Sequence, residues 1–380
     1  MSLNKSLLNI NNNFKSEILE EFSNKKKCGL ANIGATCYIN SIIQLLGHCY
    51  PFIIMLLQKN IIETDKPSIS KELQEIFNLI WIQGHSLRPN KYLRALQINF
   101  NFINVNSQQD VHEVLLLILN KMNEELKYNF SELNISELPS ETQFTGERAS
   151  APLVLEKKCN KEWYNYHNKE YSEIIELFYG QIINQIKCSN VECNKIHHSY
   201  EYFSMLELEI PMSENKINLE LSLEDCIKSY FTPFYLNNNN ENEWKCDKCD
   251  LYEKNKKLGK LWKMPPILLI CIKRFIFLPE KNRIRKNDLD IKIPDKLDFE
   301  EYIISPKTNF KYNYIGSIIH LGNSNCGHYI SIFKNKENYT VIDDEIVREF
   351  SNEESKKLIE KSYILLYIAE NPEADHYGAL

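Results

Sequence analysis

The spacing of apolar residues changes once along this chain, and the change limits the folds open to it. Up to about residue 126 they recur at helical intervals. Ile39, Ile42, Ile43 and Leu46 follow Tyr38, and Leu73, Ile76, Phe77 and Ile80 repeat the pattern. Val111, Val114, Leu115, Ile118, Leu119 and Met122 fall on one face of a helix predicted to start at Ser107, where Ser107 and Asp110 have capping-box spacing. From about Leu177 the texture turns to short β-branched and aromatic runs bounded by Gly, Asn, Asp or Pro. The runs are Gln181 to Cys188, Tyr202 to Ile210, Ile267 to Leu278, Tyr312 to Leu321, His328 to Lys334, Asn338 to Ile342 and Ser362 to Ala369. Helices first and strands later predict an α+β fold. Residues 1–24 read as a flexible lead-in, 372–380 as a tail, and 130–172, with Pro139, Gly146 and Pro152, as a loop-rich connection. No repeat at solenoid periods interrupts this order.

Composition narrows the function classes. The 380 residues are 43% hydrophobic and 25% charged, near the globular average, so a sizeable core is expected. A net charge of −6 counts against non-specific binding to nucleic acid or anionic membranes. The longest apolar runs, such as Ile267 to Ile272, fall far short of the ~20 residues of a membrane span. Met1 to Lys27 has no secretory apolar stretch. The 11 cysteines are odd in number and scattered, which predicts a reducing, intracellular compartment. Thiols there are core residues, metal ligands or nucleophiles. Lys25, Lys26 and Lys27 read as a solvated face, so cytoplasm and nucleus both stay open.

Two stretches carry reactive chemistry. In Gly29-Leu30-Ala31-Asn32-Ile33-Gly34-Ala35-Thr36-Cys37-Tyr38-Ile39-Asn40-Ser41, Cys37 falls between a small-residue turn and an amphipathic helix. A thiol at a helix N-terminus feels the positive end of the dipole, which favours the nucleophilic thiolate. Asn32 lies within reach of Cys37 and could donate to a developing oxyanion. Taken alone, Cys37 reads first as one more small buried residue, and the residues around it make the case for a nucleophile. A thiol nucleophile needs a base, and the base needs an orienting group. Of nine histidines, His328 begins a strand after the turn-rich Gly322 to Gly327, and the next strand ends in Asp343-Asp344. An antiparallel hairpin brings His328 beside Asp343, which would fix the imidazole tautomer. His320 has an apolar strand context and reads as structural.

Cys188-x4-Cys193 and Cys246-x2-Cys249 form two pairs at metal-ligand spacing. Four thiolates suit a tetrahedral, closed, structural Zn²⁺ site. The x4 pair is looser than usual, and His197 or His198 could substitute as a ligand.

With these residues in view, the chain resembles the ubiquitin-specific proteases, a family of papain-like cysteine deubiquitinases. Gly29 to Ser41 resembles that family's Cys box, and Ser107-Gln108-Gln109-Asp110-Val111-His112-Glu113 its Gln-Gln-Asp helix start. Pro265-Pro266-Ile267-Leu268 through Lys273-Arg274-Phe275 resembles its core palm strand, and Gly327-His328-Tyr329 with Asp343-Asp344 and Val347 its His box. The motifs stand in family order over about residues 28 to 369.

The resemblance implies a papain-like core with thumb, palm and zinc-tied fingers. The catalytic domain would span 25–371, with the thumb at about 28–130, palm and fingers at about 175–370, and the fingers at about 181–259. It implies a thiol-dependent hydrolase of isopeptide, peptide or ester bonds at the C-terminal glycine of ubiquitin. Cys37 would be the nucleophile, His328 the general base and acid, Asp343 the third triad member, Asn32 the oxyanion donor and Asp344 an assisting acid. Asp110 and Gln109 would bind the substrate tail. Cys188, Cys193, Cys246 and Cys249 would hold a structural Zn²⁺, with no catalytic cofactor. Partners would be ubiquitin and ubiquitinated proteins, with room for an activating protein, and neither nucleic acid nor membrane. The segment Glu141 to Tyr171 matches no family motif and reads as an insertion. A protease for another ubiquitin-like modifier and a silent ubiquitin-binding module remain as alternatives.

Overall fold

The computed structural model describes residues 28–62, 65–83, 87–128, 151–193, 195–211, 220–236, 244–250, 255–305, 310–324, 326–336 and 338–370. Within them the change of texture is a change of architecture. Five helices come first: α1 (Cys37–Gly47), α2 (Tyr50–Gln58), α3 (Ile69–Phe77), α4 (Asn90–Asn99) and α5 (Val111–Leu126). Every residue of α1 is buried. It is apolar nearly all round because it packs on α5 on one side and on the large sheet on the other. Asp110 itself caps α5, accepting from the His112 N–H at 2.8 Å. The predicted start at Ser107 is therefore corrected: the carboxylate sits at the N-cap, not three residues inside it.

Two more helices follow, α6 (Ala151–His167) and α7 (Glu173–Phe178). The loop-rich reading of 130–172 is corrected over α6, while residues 129–150 lie outside the described residues. Leu155, Cys159, Trp163 and His167 stand four apart on α6. Cys159 packs with Leu155, Ile183 and Trp262, and its carbonyl accepts from Gln181 Nε2 at 3.1 Å. One residue per turn is a thin stripe, so this helix carries little apolar periodicity.

The remaining elements are β1 (Gly180–Lys187), β2 (Ile196–Phe203), β3 (Leu206–Glu209), β4 (Leu221–Ser222), α8 (Leu223–Phe231), β5 (Phe234–Tyr235), β6 (Lys256–Lys263), β7 (Ile267–Lys273), β8 (Phe275–Leu278), β9 (Arg283–Lys286), β10 (Ile291–Lys292), β11 (Lys296–Asp298), β12 (Lys311–Gly322), β13 (Gly327–Asn335), β14 (Asn338–Asp343), β15 (Ile346–Phe350), α9 (Asn352–Ile359) and β16 (Ser362–Ala369). A large sheet runs β15-β14-β13-β12-β16-β7-β3, with β11 also on β12, and a small sheet runs β2-β1-β6-β5. Ile267, Leu269 and Cys271 of β7 face the helical core, while Leu268, Ile270 and Ile272 face a second core with α8. Burial on both faces explains why this strand reads as a continuous apolar run.

Two expected strands are each divided. Tyr202 to Ile210 splits between the small and large sheets, as β2 and β3. Ile267 to Leu278 breaks at Arg274, which is 1% exposed. Its guanidinium donates to the carbonyls of Ser362, Asn287, Leu289 and Glu360 at 2.7–3.1 Å. Those four carbonyls hold a buried cation that burial, partly offset by the Asp288 and Asp290 carboxylates, pulls down to about 10.

Candidate active site and thiol cluster

Cys37 is the first residue of α1 and is 1% exposed. The turn before it is held by side chains. Asn32 Oδ1 accepts from the Thr36 N–H and from Thr36 Oγ1, each at 3.1 Å. The Ile33 N–H donates to Thr36 Oγ1 at 3.0 Å. Gly34 has φ +100°, and a Cβ there would lie 2.5 Å from the Val105 carbonyl oxygen. Only glycine meets both demands without strain. Gly29 passes so close to the end of β14 that a Cβ would lie 2.5 Å from the Asp344 oxygen. That approach lets the Leu30 N–H reach the Asp344 carbonyl at 2.9 Å. The chain before Cys37 is thus tied directly to the chain after Asp343.

His328 enters on β13 and Asp343 ends β14, strands paired so that Ser331 faces Ile342. His328 Nε2 meets Asp343 Oδ1 at 2.6 Å and Asp344 Oδ2 at 3.8 Å. With Nε2 engaged by the carboxylate, Nδ1 is the nitrogen left for the thiol. The hydrogen bond with Cys37 raises the imidazole most; partial burial opposes it, and the Asp343 hydrogen bond adds to the rise. Together they lift His328 to about 9. His320, by contrast, is pushed down to about 4, chiefly by burial, and packs its ring on Phe275 and Tyr329.

Asp344 is the junction of the site. One carboxylate oxygen accepts from Asn32 Nδ2 at 2.7 Å and the other from Asn40 Nδ2 at 2.7 Å. Both carboxylate oxygens of Asp110 accept from the Tyr363 hydroxyl at 3.0 Å. Gln109 is turned away, donating to Ser107 Oγ at 3.3 Å. Its neighbour Gln108 is the glutamine at the thiol: Nε2 lies 3.6 Å from Cys37 Sγ and bonds the Gly327 carbonyl. Adjacent polar residues before a helix carry no sign in the sequence of which one lies at the thiol.

The two cysteine pairs meet at the far end of the small sheet. The sulfurs of Cys188, Cys193, Cys246 and Cys249 all lie within 4.8 Å of one another. Cys188 to Cys249 is 3.7 Å and Cys193 to Cys246 is 3.6 Å. Four sulfurs ~2.3 Å from one tetrahedral Zn²⁺ stand about 3.8 Å apart, so the donors fit that ion. Burial opposes the Cys246 thiolate, but the N–H groups of Cys249 and Lys248, with hydrogen bonds from His197 and Cys193, together bring Cys246 down to about 6. His197 Nε2 lies 3.8 Å from Cys246 Sγ and 2.9 Å from Asp247, beside the cluster, while His198 faces Gln185. The looser x4 pair therefore reaches the site without a histidine substitute.

A helical region packed on a sheet, with a thiol at the helix start facing an imidazole and carboxylate on the sheet, is the architecture of papain-like thiol hydrolases. The family model of ubiquitin carboxyl-terminal hydrolase matches residues 28–367, and the chain belongs to that family. A probable ubiquitin carboxyl-terminal hydrolase 4 of Schizosaccharomyces pombe is 26% identical over 97% of this chain and 63% of its own length. Ubiquitin carboxyl-terminal hydrolase 4 of Arabidopsis thaliana is 26% identical over 89% of this chain and 92% of its own length. The fold matches the SAGA Ubp8/Sgf11/Sus1/Sgf73 module bound to ubiquitin aldehyde with TM-score 0.67 and 23% identity, over 90% of this chain and 69% of that one. This chain thus spans less than two thirds of the S. pombe relative. Among the described residues no single helix is long and apolar enough to cross a membrane.

Proposed function

We propose that this protein is a thiol-dependent deubiquitinase, cleaving isopeptide bonds at the C-terminal glycine of ubiquitin. The observation that carries the reading is the series Cys37, His328, Asp343 within a chain of this family. The thiolate of Cys37 attacks the glycine carbonyl carbon, forming the C–S bond and placing negative charge on oxygen. Asn32 and the N–H groups at the start of α1 stabilise that oxyanion. As the C–N bond breaks, the His328 imidazolium gives its proton to the leaving lysine amine. The neutral imidazole then takes a proton from water, whose oxygen attacks the thioester. The thiolate leaves, and His328 is again protonated. Asp343 holds the ring and favours its cationic form throughout.

Gln108 bridges Cys37 and the Gly327 carbonyl across the path to the sulfur. A bound tail would displace it and take over its bonds. Asp110, fixed by Tyr363 and by its cap role, would hold that tail. The helices α1 to α5 act as thumb, the large sheet as palm and the small sheet as fingers. The four thiols hold Zn²⁺ as a structural clasp that takes no part in the reaction. A compact catalytic domain suits assembly with an activating protein, and both cytoplasm and nucleus accord with its free thiols.

The test is turnover of a C-terminal ubiquitin fluorogenic amide by the wild type and by Cys37→Ala. Turnover by the wild type alone supports the reading. Turnover by neither, with cleavage of a different ubiquitin-like conjugate, would move the assignment to that modifier.

A further inference from the structure

We propose that Asn40 is a positioning residue for the oxyanion site, acting through Asp344 on Asn32; the inference rests on the acyl-transfer reading above. Asn40 lies one helical turn below Cys37 and is 2% exposed. No aqueous path or substrate contact is open to it there. Its Nδ2 faces three acceptors: Asp344 Oδ1 at 2.7 Å, and the carbonyls of Leu30 and Ala31 at 3.3 Å each. Its Oδ1 is buried with no hydrogen-bond partner among the described residues. Leaving a buried oxygen unpaired is costly. The position is therefore occupied for its donor, and the shortest bond that donor makes is to Asp344.

Asp344 is where this bond becomes useful. It stands at φ +50°, off the end of β14, with its carbonyl accepting from Leu30. Its second oxygen grips Asn32 Nδ2 at 2.7 Å, and Thr36 holds the other end of the same amide. Asn32 is consequently fixed at both ends, with one N–H left to point at developing charge. His328 Nε2 lies only 3.8 Å from that second Asp344 oxygen. Without Asn40 on the other oxygen, the carboxylate can rotate toward the imidazole and release Asn32. An oxyanion donor works through preorganisation, so a loosened Asn32 loses most of its effect even though it remains present.

The test compares two reactions of Cys37 in wild type, Asn40→Ala, Asn32→Ala and the double variant. One is turnover of the fluorogenic ubiquitin amide, which passes through an oxyanion. The other is alkylation by iodoacetamide, which does not. Each single variant is expected to lower kcat by about 100-fold with KM changed less than about 2-fold. The double variant should fall within about 3-fold of Asn32→Ala, because the two residues act as one unit. Alkylation should stay within about 3-fold of wild type. Losses that multiply in the double variant would overturn the relay, as would alkylation falling in step with turnover. Should Asn40→Ala fail to fold, Asn40→Leu keeps the volume and removes the donor; wild-type turnover by that variant would sink the proposal. An inactive wild type overturns the hydrolase reading and this inference with it, whereas an active wild type matched by Asn40→Ala overturns the relay alone.

Discussion

Cys37 and Cys246 are both closed off from solvent, at 1% and 0% exposure, yet their surroundings ask different things of sulfur. Cys37 faces one imidazole, which is itself held by one carboxylate, and one side-chain amide. Cys246 faces the other three thiols at the tip of the small sheet and two backbone N–H groups. The first arrangement supplies a proton acceptor and leaves a direction of attack. The second supplies four convergent donors and leaves none. Burial is common to both, so the neighbours and not the exposure decide which thiol reacts and which binds an ion.

The sharpest way to break this contrast is substitution at each thiol. Cys37→Ala should lower turnover by more than about 10⁴-fold while ubiquitin binding, read by titration calorimetry, is retained. Cys246→Ser should do the reverse. It should lose the zinc found by elemental analysis and lower the Tm by about 10 °C, with iodoacetamide reactivity of Cys37 within about 3-fold of wild type. A Cys246→Ser protein that kept its Tm and its metal content would show that the four thiols are packing residues.

The pH dependence separates the two sites further. His328, raised to about 9 from 6.5, carries its proton to higher pH in the folded protein than in the unfolded chain. Its contribution to stability is therefore complete below about 6.5 and is lost as pH rises through about 9. Turnover should decline on the alkaline side near 9, where the imidazolium is titrated. In Asp343→Asn the carboxylate that favours the cation is gone, so that limb should move to lower pH, by about one unit. An unmoved limb would remove Asp343 from the series. The smallest effect belongs to Gln108→Ala. Opening the path to Cys37 should speed iodoacetamide alkylation by about 2- to 5-fold while lowering kcat/KM for ubiquitin substrates.

How far the sequence reached follows from the range of each interaction. Cys37, His328 and Asp343 were legible because each stands at the end of an element, where local pattern fixes direction. The Cys pairs were legible by spacing alone, and Ser362 to Ala369 was read with its observed bounds because an eight-residue apolar strand buried on both faces has one solution. Gln108 against Gln109, the Tyr363 contact of Asp110 and the break at Arg274 were not. Each depends on partners far along the chain: Gly327 for Gln108, Tyr363 for Asp110, and Ser362, Asn287, Leu289 and Glu360 for Arg274. Helix α6 leaves little trace in the sequence because its inward face is one residue per turn. The lead-in at 1–24 and the tail at 372–380 lie outside the described residues.

The central claim, that Cys37 alone among 11 cysteines is the nucleophile and ubiquitin the substrate, has one most direct measurement. Wild type, Cys37→Ala and His328→Ala are treated with ubiquitin bearing a thiol-reactive group at its C-terminus, and the modified cysteine is mapped by mass spectrometry. The account predicts a single adduct on Cys37, absent in Cys37→Ala and slowed in His328→Ala. An adduct on Cys326, the exposed cysteine, or no adduct on folded, zinc-loaded wild type, would contradict it.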